Sequence, residues 1–189
     1  MTKPLRPTSH QFLGPFYPLS TPTSDGDLTQ VEGGTGVAEG QVLYLCGPVV
    51  DITGAPVANK KVEIWQTNSH GRYTHPNDDN SAPLDPNFEG FAAVHTDNEG
   101  RYSLKTVKPG AYPTGPNSIR PSHIHFEVYA RSKRFVTPMY FEGDPYHDQD
   151  AWLQSSRNQD TIIMPPRDPI EGMEPKAKRV EFDIVLRHG

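Results

Sequence analysis

The run Gln41-Val42-Leu43-Tyr44-Leu45-Cys46-Gly47-Pro48-Val49-Val50-Asp51, the turn Asp51-Ile52-Thr53-Gly54 and the run Val62-Glu63-Ile64-Trp65-Gln66 decide the fold. Apolar and β-branched residues closed off by a Gly-bearing turn read as two β-strands, paired as a hairpin or as its equivalent in a sandwich. Further short runs follow at Arg101 to Val107, His123 to Tyr129, Phe135 to Phe141 and Val180 to Leu186, with punctuation such as Lys108-Pro109-Gly110 between them. Short strands separated by turn clusters predict an all-β chain, a β-sandwich of mostly antiparallel strands with long loops. The one helical candidate is Gln149 to Asn158, with Asp148 as its cap. Composition agrees: 20 Pro and 16 Gly in 189 residues disfavour long helices, because each interior Pro removes a hydrogen bond and clashes with the preceding turn.

Working outward from these strands, the length is that of one domain. Residues 1 to 39 are rich in Pro, Thr, Ser and Gly around the patch Phe12-Leu13-Gly14-Pro15-Phe16-Tyr17-Pro18. They predict an extended arm whose aromatics dock on something, ahead of a domain over 40–189. Thr67 to Glu99 is a long polar stretch of the kind that is functional or disordered, and Tyr73, Phe88 and Phe91 within it argue against simple disorder. The net charge of -5, with basic residues scattered, leaves no footprint for nucleic acid or an anionic membrane. One cysteine, Cys46, cannot form an internal disulfide, and the opening MTKPLRPTSH has no apolar run. A soluble protein of the reducing cytoplasm is expected, since no stretch nears the ~20 apolar residues of a transmembrane helix.

The sharpest chemical signal is His123-Ile124-His125 within Arg120-Pro121-Ser122-His123-Ile124-His125-Phe126. On a strand, residues i and i+2 share a face, so both imidazoles can reach one point while Ile124 enters the core. That spacing suits a metal; the plainer alternative is a polar strand face meeting solvent. Tyr73, in His70-Gly71-Arg72-Tyr73, and Tyr112, in Pro109-Gly110-Ala111-Tyr112-Pro113, sit in turn-rich sequence. Each alone reads as a packed aromatic with its hydroxyl at the surface. A tyrosine also offers a phenolate, but its usual pKa near 10 falls to neutrality only beside a strongly acidic cation. Two phenolates and two neutral imidazoles would suit trivalent iron, whereas zinc prefers Cys, His or carboxylate.

These segments carry a resemblance. Gly14-Pro15-Phe16-Tyr17, Val62-Glu63-Ile64-Trp65-Gln66-Thr67-Asn68, Gly71-Arg72-Tyr73, Ala82-Pro83-Leu84-Asp85-Pro86-Asn87-Phe88, Lys108-Pro109-Gly110-Ala111-Tyr112-Pro113, the Arg120 to Phe126 run, Tyr140-Phe141-Glu142-Gly143-Asp144-Pro145 and Phe182 to Arg187 stand in order along the chain. In these the chain resembles the intradiol ring-cleavage dioxygenases, in particular the protocatechuate 3,4-dioxygenase-like branch. The resemblance implies a non-haem Fe(III) cofactor held by Tyr73, Tyr112, His123 and His125. It implies cleavage of a catechol-type ring (protocatechuate, catechol or hydroxyquinol) with O2 to a cis,cis-muconate. It further implies that Tyr112 acts as a catalytic base and that Arg120 lies beside the ring and stabilises developing negative charge. Because Ser9 to Tyr17 resembles the arm that a non-iron subunit contributes in that branch, Gly14, Pro15 and Tyr17 become substrate-binding candidates and a homo-oligomer is expected. Two positions depart from the family: Pro138 stands where a Gln is usual, removing an amide from the site, and Ile119 stands where a Trp often precedes Arg-Pro.

Other residues carry blander expectations. His70, His75 and His147 lie in polar loops, His95 at a strand edge, and His10 and His188 near the ends; Trp65 and Phe88 read as core and Cys46 as a small buried hydrophobe. Arg72, Arg131 and Lys133 could each face a substrate carboxylate or simply be solvated. Two rival functions remain. A non-enzymatic, prealbumin-like binding module would need no Tyr and His set, and a zinc hydrolase on His123 and His125 would need a third His or carboxylate.

Overall fold

The computed structural model describes residues 4–20, 24–130 and 133–187, with only the backbone of Lys133. Along β1 (Val42–Asp51) burial alternates residue by residue, as a strand with one face on a core must. Leu43, Leu45 and Val49 point inward. β1 pairs antiparallel with β4 (Arg101–Val107), and parallel with β10 (Lys178–Glu181) and then β11 (Ile184–Leu186) on its other edge. The second sheet has the order β3 (Phe91–His95), β2 (Lys61–Trp65), β7 (His123–Ala130), β8 (Lys133–Phe141), β9 (Ile163–Met164). A short ribbon joins β5 (Tyr112–Gly115) to β6 (Ser118–Arg120).

The two sheets share one core. Val62 and Ile64 of β2 and Ile124, Phe126 and Val128 of β7 meet Leu43, Leu45, Tyr102 and Phe182 from the facing sheet. Phe126 packs edge-on to Phe182 at 5.0 Å and to Tyr102 at 5.8 Å. Each such side chain contributes about 1.5–3 kcal/mol by leaving water. The all-β sandwich read from the sequence is the fold.

Several elements differ in detail. β1 and β2 lie in different sheets, so their relation is the sandwich one, not a hairpin. The expected strand over Val180 to Leu186 breaks at Phe182-Asp183 into β10 and β11. β3 emerges from the end of what read as loop. The expected helix shrinks to α1 (Ala151–Gln154), and its cap is Asp150, not Asp148: Asp150 Oδ1 accepts from the Trp152 and Leu153 amides at 2.8 and 2.9 Å. Asp148 falls instead in a single 3-10 turn, His147–Gln149. Among the described residues no helix is long and apolar enough to cross a membrane.

The arm runs back over the body. The amides of Leu5, Thr8 and Gln11 donate to the carbonyls of Ile52, Val185 and Val136, and Leu28 is buried in the shared core. This path brings residues 11–17 onto the outer face of the second sheet, where β7 carries His123 and His125.

Candidate metal centre

β7 is buried on both faces. Its inward residues are apolar; of its outward residues His123, His125 and Glu127 are no more than 5% exposed, and Tyr129 after them is half-buried. Cross-strand pairing sets Trp65 of β2 and Pro138 of β8 on either side of His125, and Tyr140 opposite His123. The Trp65 ring lies flat on the His125 ring, 4.9 Å between centroids and 4° between planes. Trp65 is thus core in burial yet belongs to the site.

The His123 imidazole is preset as a ligand. His123 Nδ1 stands 2.7 Å from the Pro121 carbonyl oxygen; a carbonyl can only accept, so Nδ1 carries the proton and Nε2 is bare. That Nε2 faces His125 Nε2 at 3.1 Å. Burial first, and then the Arg120 charge, lowers the pKa of both, His125 to about 3. Two neutral rings therefore turn nitrogen toward one point.

The tyrosines arrive on two loops locked together by glycine. Gly71 has φ 83°, and a Cβ on it would stand 2.3 Å from the Ala111 carbonyl oxygen, while one on Gly110 would stand 2.4 Å from the Gly71 nitrogen. Only glycine permits this approach, and it brings Tyr73 edge-on to Tyr112 at 5.5 Å. Tyr112 lies 5.7 Å from the His123 ring and Tyr73 6.4 Å from that of His125. Polar residues of the long loop hold this shape. Asn68 Oδ1 accepts from the amides of His70 and Arg72, its Nδ2 donates to Pro83, Asp78 accepts from the Tyr73 amide and Asn80 donates to Gly71.

The four side chains leave a polar deficit. Tyr73 Oη and His125 Nδ1 are buried without a partner among the described residues, although buried polar groups are nearly always satisfied. Burial, with Tyr112 next, raises the Tyr73 hydroxyl well above its ordinary pKa; burial also raises that of Tyr112, with Arg120 opposing. Neither ionises unaided, and a trivalent cation among them would supply what they lack. No group of three or more His, Cys, Asp or Glu able to hold a metal occurs among the described residues. A zinc-type ligand set is not assembled among the described residues.

A cavity of about 760 Å3 opens in front, lined by Tyr112, Arg120 and His125 and, from the arm, by Gly14 and Pro15. A Cβ on Gly14 would stand 3.7 Å from His125 Cε1. Tyr17 is not on that wall; its hydroxyl donates to Glu63 Oε2 at 2.8 Å, further along the same sheet face. Arg120 reaches Asp150 at 3.1 Å and the Tyr140 hydroxyl at 2.8 Å, and that hydroxyl in turn donates to Gln11 Oε1 at 3.3 Å. Burial opposes the Arg120 charge, but Tyr140, Tyr112 and Asp150 hold it firmly. Asp150 thus caps α1 with one oxygen and anchors Arg120 with the other.

Sequence reasoning missed Gln11, Asp150 and Tyr140, which no local pattern singles out, and the Gly71–Gly110 contact, whose signal was a glycine just ahead of each tyrosine. His70 pairs with Glu39 at 2.9 Å, His75 packs edge-on to Phe16, His95 is exposed at the end of β3, and His147 packs edge-on to Tyr140 at 6.0 Å. Phe88 is core. Cys46 is only half-buried, on the outward face of β1, and burial raises its thiol pKa. Arg72 donates to the Ala82 carbonyl and does not line the cavity; Arg131, His188 and the Lys133 side chain lie outside the described residues.

Known proteins are similar to this chain in sequence and in fold. The family model described as Dioxygenase matches residues 12–188. The protocatechuate 3,4-dioxygenase beta chain of Burkholderia cepacia is 40% identical over 195 residues, covering 98% of this chain and 83% of that protein. Catechol 1,2-dioxygenase 2 of Acinetobacter lwoffii is 35% identical over 147 residues, covering 70% of this chain and 50% of that protein, so the chain matches about half its length. Among solved structures, the dioxygenase domain of a dioxygenase carbohydrate-binding protein fusion from Streptomyces sp. SirexAA-E superposes with a TM-score of 0.74 at 24% identity, covering 97% of this chain and 100% of that one, a likeness of fold. The match along nearly the whole chain, together with the identity to the Burkholderia protein, makes this chain a member of the intradiol ring-cleavage dioxygenase family.

Proposed function

We propose that the chain is a non-haem Fe(III) intradiol dioxygenase that opens a catechol-type ring with O2 between its two hydroxylated carbons, giving a cis,cis-muconate. The observation that carries this reading is the buried convergence of Tyr73, Tyr112, His123 and His125, with facing Nε2 atoms and an orphaned phenol. Residues 40–189 would form the catalytic domain and residues 1–39 the arm that completes its pocket. Ferric iron held by the four side chains would supply the Lewis acidity and redox partner that a catecholate needs to react with dioxygen.

The chain's own residues do the rest. Tyr112 lines the cavity and Tyr73 does not, so Tyr112 is the phenolate positioned to take a proton from an incoming catechol hydroxyl. Arg120, pinned by Asp150 and Tyr140, presents fixed positive charge where the ring becomes anionic, at no cost in reorganisation. Trp65 and Phe16 stack on His125 and Tyr73 and exclude water behind them. Gly14 and Pro15 form the wall of the substrate site. Tyr17, read as a substrate contact, belongs in this proposal as the residue that fastens the arm through Glu63. With ligands and arm in one chain, a homo-oligomer acting alone in the cytoplasm is the working assembly.

The test is optical. Purified protein is expected to be red-brown from tyrosinate-to-iron charge transfer; one diphenol added without oxygen should shift the band, and oxygen should restore it as a muconate forms. A protein that stays colourless after ferrous loading in air would remove Tyr73 and Tyr112 as ligands. The mass of the protein expressed alone tests the homo-oligomer: insolubility, or lack of iron without a second chain, would count against it.

A further inference from the structure

The cavity resting against Tyr112, Arg120 and His125 has an electrostatic bias that bears on which catechol it takes; this inference rests on the ring-cleavage reading above. Its volume of about 760 Å3 lies within the range of sites for substituted small molecules, so the walls, not the size, decide. One wall is the segment Asp78 to Ser81. Asp78 is fixed there, accepting from the Tyr73 amide at 2.7 Å and from the Asn80 amide at 3.0 Å. Asp79 follows it, solvent-exposed and lining the same cavity.

Arg120 is the only Lys or Arg among the lining residues described, and it is already committed to the buried Asp150 carboxylate and to Tyr140. Among the described residues the remaining wall therefore carries two carboxylates and no cation to balance them. Three other described basic side chains lie elsewhere. Arg134, Arg157 and Arg187 line a neighbouring cavity of about 610 Å3, on the far side of a partition in which Phe12 meets Trp152 edge-on at 5.8 Å. A ring substituent in the catalytic cavity meets acceptors, and a carboxylate there meets like charge with no partner.

We infer that Asp78 and Asp79 make the pocket selective for catechols whose further substituent is uncharged and donates a hydrogen bond, a third ring hydroxyl foremost, and make it reject a ring carboxylate. Hydroxyquinol is then the preferred type of substrate and protocatechuate the disfavoured one. The hydroxyl would donate to the Asp79 carboxylate, a charge-assisted bond that plain catechol cannot make.

The experiment compares kcat/KM of the iron-loaded full chain for hydroxyquinol, catechol and protocatechuate at one pH and low salt. Protocatechuate is expected to fall at least about tenfold below hydroxyquinol, with the gap narrowing in salt because a partly exposed charge is screened. Asp79→Lys, on an exposed loop residue, should narrow the protocatechuate-to-hydroxyquinol ratio by about tenfold. Binding without turnover gives an independent readout: quenching of the tryptophan fluorescence, from Trp152 on the cavity wall and Trp65 behind His125, should show 4-hydroxybenzoate binding about tenfold more weakly than resorcinol. Equal use of protocatechuate and hydroxyquinol, or a ratio unmoved in Asp79→Lys, overturns the inference, including the case in which a second copy of the chain brings a cation to the wall. Failure of the ring-cleavage reading shows differently, as no iron uptake and no diphenol opened, and the two unreactive phenols still report the charge of the wall.

Discussion

β1 and β7 hold equivalent places, each central in its sheet with one apolar face on the shared core, yet their second faces differ. On β1 burial alternates, and Tyr44 and the adjacent Lys105 reach an exposed carboxylate, Glu174. On β7 burial is nearly continuous, and the second face is polar: His123, His125 and Glu127 under a roof of loops and arm. Covering a polar face costs free energy unless its groups are satisfied. At the Glu127 end they satisfy one another. Arg134 pairs with Glu127 through Nε and Nη2, and Tyr17 and Tyr129 donate to Glu63. Lys61 lies 2.6 Å from Glu63 Oε1 as an ion pair, off hydrogen-bond geometry. At the imidazole end they do not: the two imidazole Nε2 atoms meet only each other, and Tyr73 Oη stays orphaned. A buried polar face that is half self-satisfied marks, by its other half, where a ligand belongs.

The largest effects should come from breaking the unsatisfied half. Tyr73→Phe removes a hydroxyl that has no partner, so turnover should fall about a thousandfold or more, several kcal/mol of barrier. The metal-free protein should hold its stability or gain about 1 kcal/mol. Steady-state kinetics and thermal melts of the same preparations check both signs. A loss of activity accompanied by a loss of several kcal/mol in stability would mean the hydroxyl is structural.

One residue beyond His125 on β7, on the opposite face, the consequence reverses. Phe126→Ala empties a fully buried position between Phe182 and Tyr102, which costs about 3–5 kcal/mol and on the order of 10 °C in melting temperature. Metal binding and kcat per folded molecule should persist below the new transition. Denaturant titration with an iron assay separates the two.

This opposition of faces explains what the sequence made legible. The sandwich could be read because inner faces are written in period two, as in Leu43, Leu45 and Val49. The pair His123 and His125 could be read because its spacing is local to a strand. Tyr73 and Tyr112 could not be joined by any spacing; a family resemblance pointed to them, and the physical reason for their meeting, the Gly71–Gly110 contact, is tertiary. Asp150 was invisible because its two tasks, a cap and an ion pair with Arg120, involve partners in different elements. The helix was overread since Ala151-Trp152-Leu153-Gln154 looks helical over a longer range than its capped single turn supports. Tyr17 was placed on the pocket wall by its Gly-Pro-aromatic context, when side-chain direction, set by Glu63, turns it away.

A smaller effect tests that reassignment and sharpens the self-satisfied half. Tyr17→Phe deletes the bond to Glu63, worth about 1.5–3 kcal/mol in a charged pair and less for a half-buried one. It leaves the ring stacked edge-on to Trp65 at 5.1 Å. If Tyr17 fastens the arm, KM should rise several-fold with kcat nearly unchanged, and Glu63→Gln should reproduce the effect in milder form. A fall in kcat with KM constant would return Tyr17 to the reacting substrate.

The smallest effect belongs to the solvated face of β1, and its pH dependence distinguishes it from everything on β7. The Tyr44 hydroxyl and then Lys105 hold the Glu174 pKa down to about 2, below the roughly 4.3 of a free glutamate. A depressed folded-state pKa means that the carboxylate stabilises the fold above pH ~4.3 and that this contribution drains away as pH falls toward 2. Because the Glu174 side chain is 45% exposed, screening leaves only a few tenths of a kcal/mol. Urea melts of Glu174→Gln should therefore sit slightly below wild type at pH 7, converge with it as pH is lowered from 5 to 2, and converge again in about 1 M salt, where the Debye length shrinks to about 3 Å. The Phe126→Ala gap should persist through the same salt series, since no charge is involved. A Glu174→Gln gap that survived both acid and salt would mean that the outer face of β1 is covered as well, and the contrast between the two strands would be one of chemistry rather than of exposure.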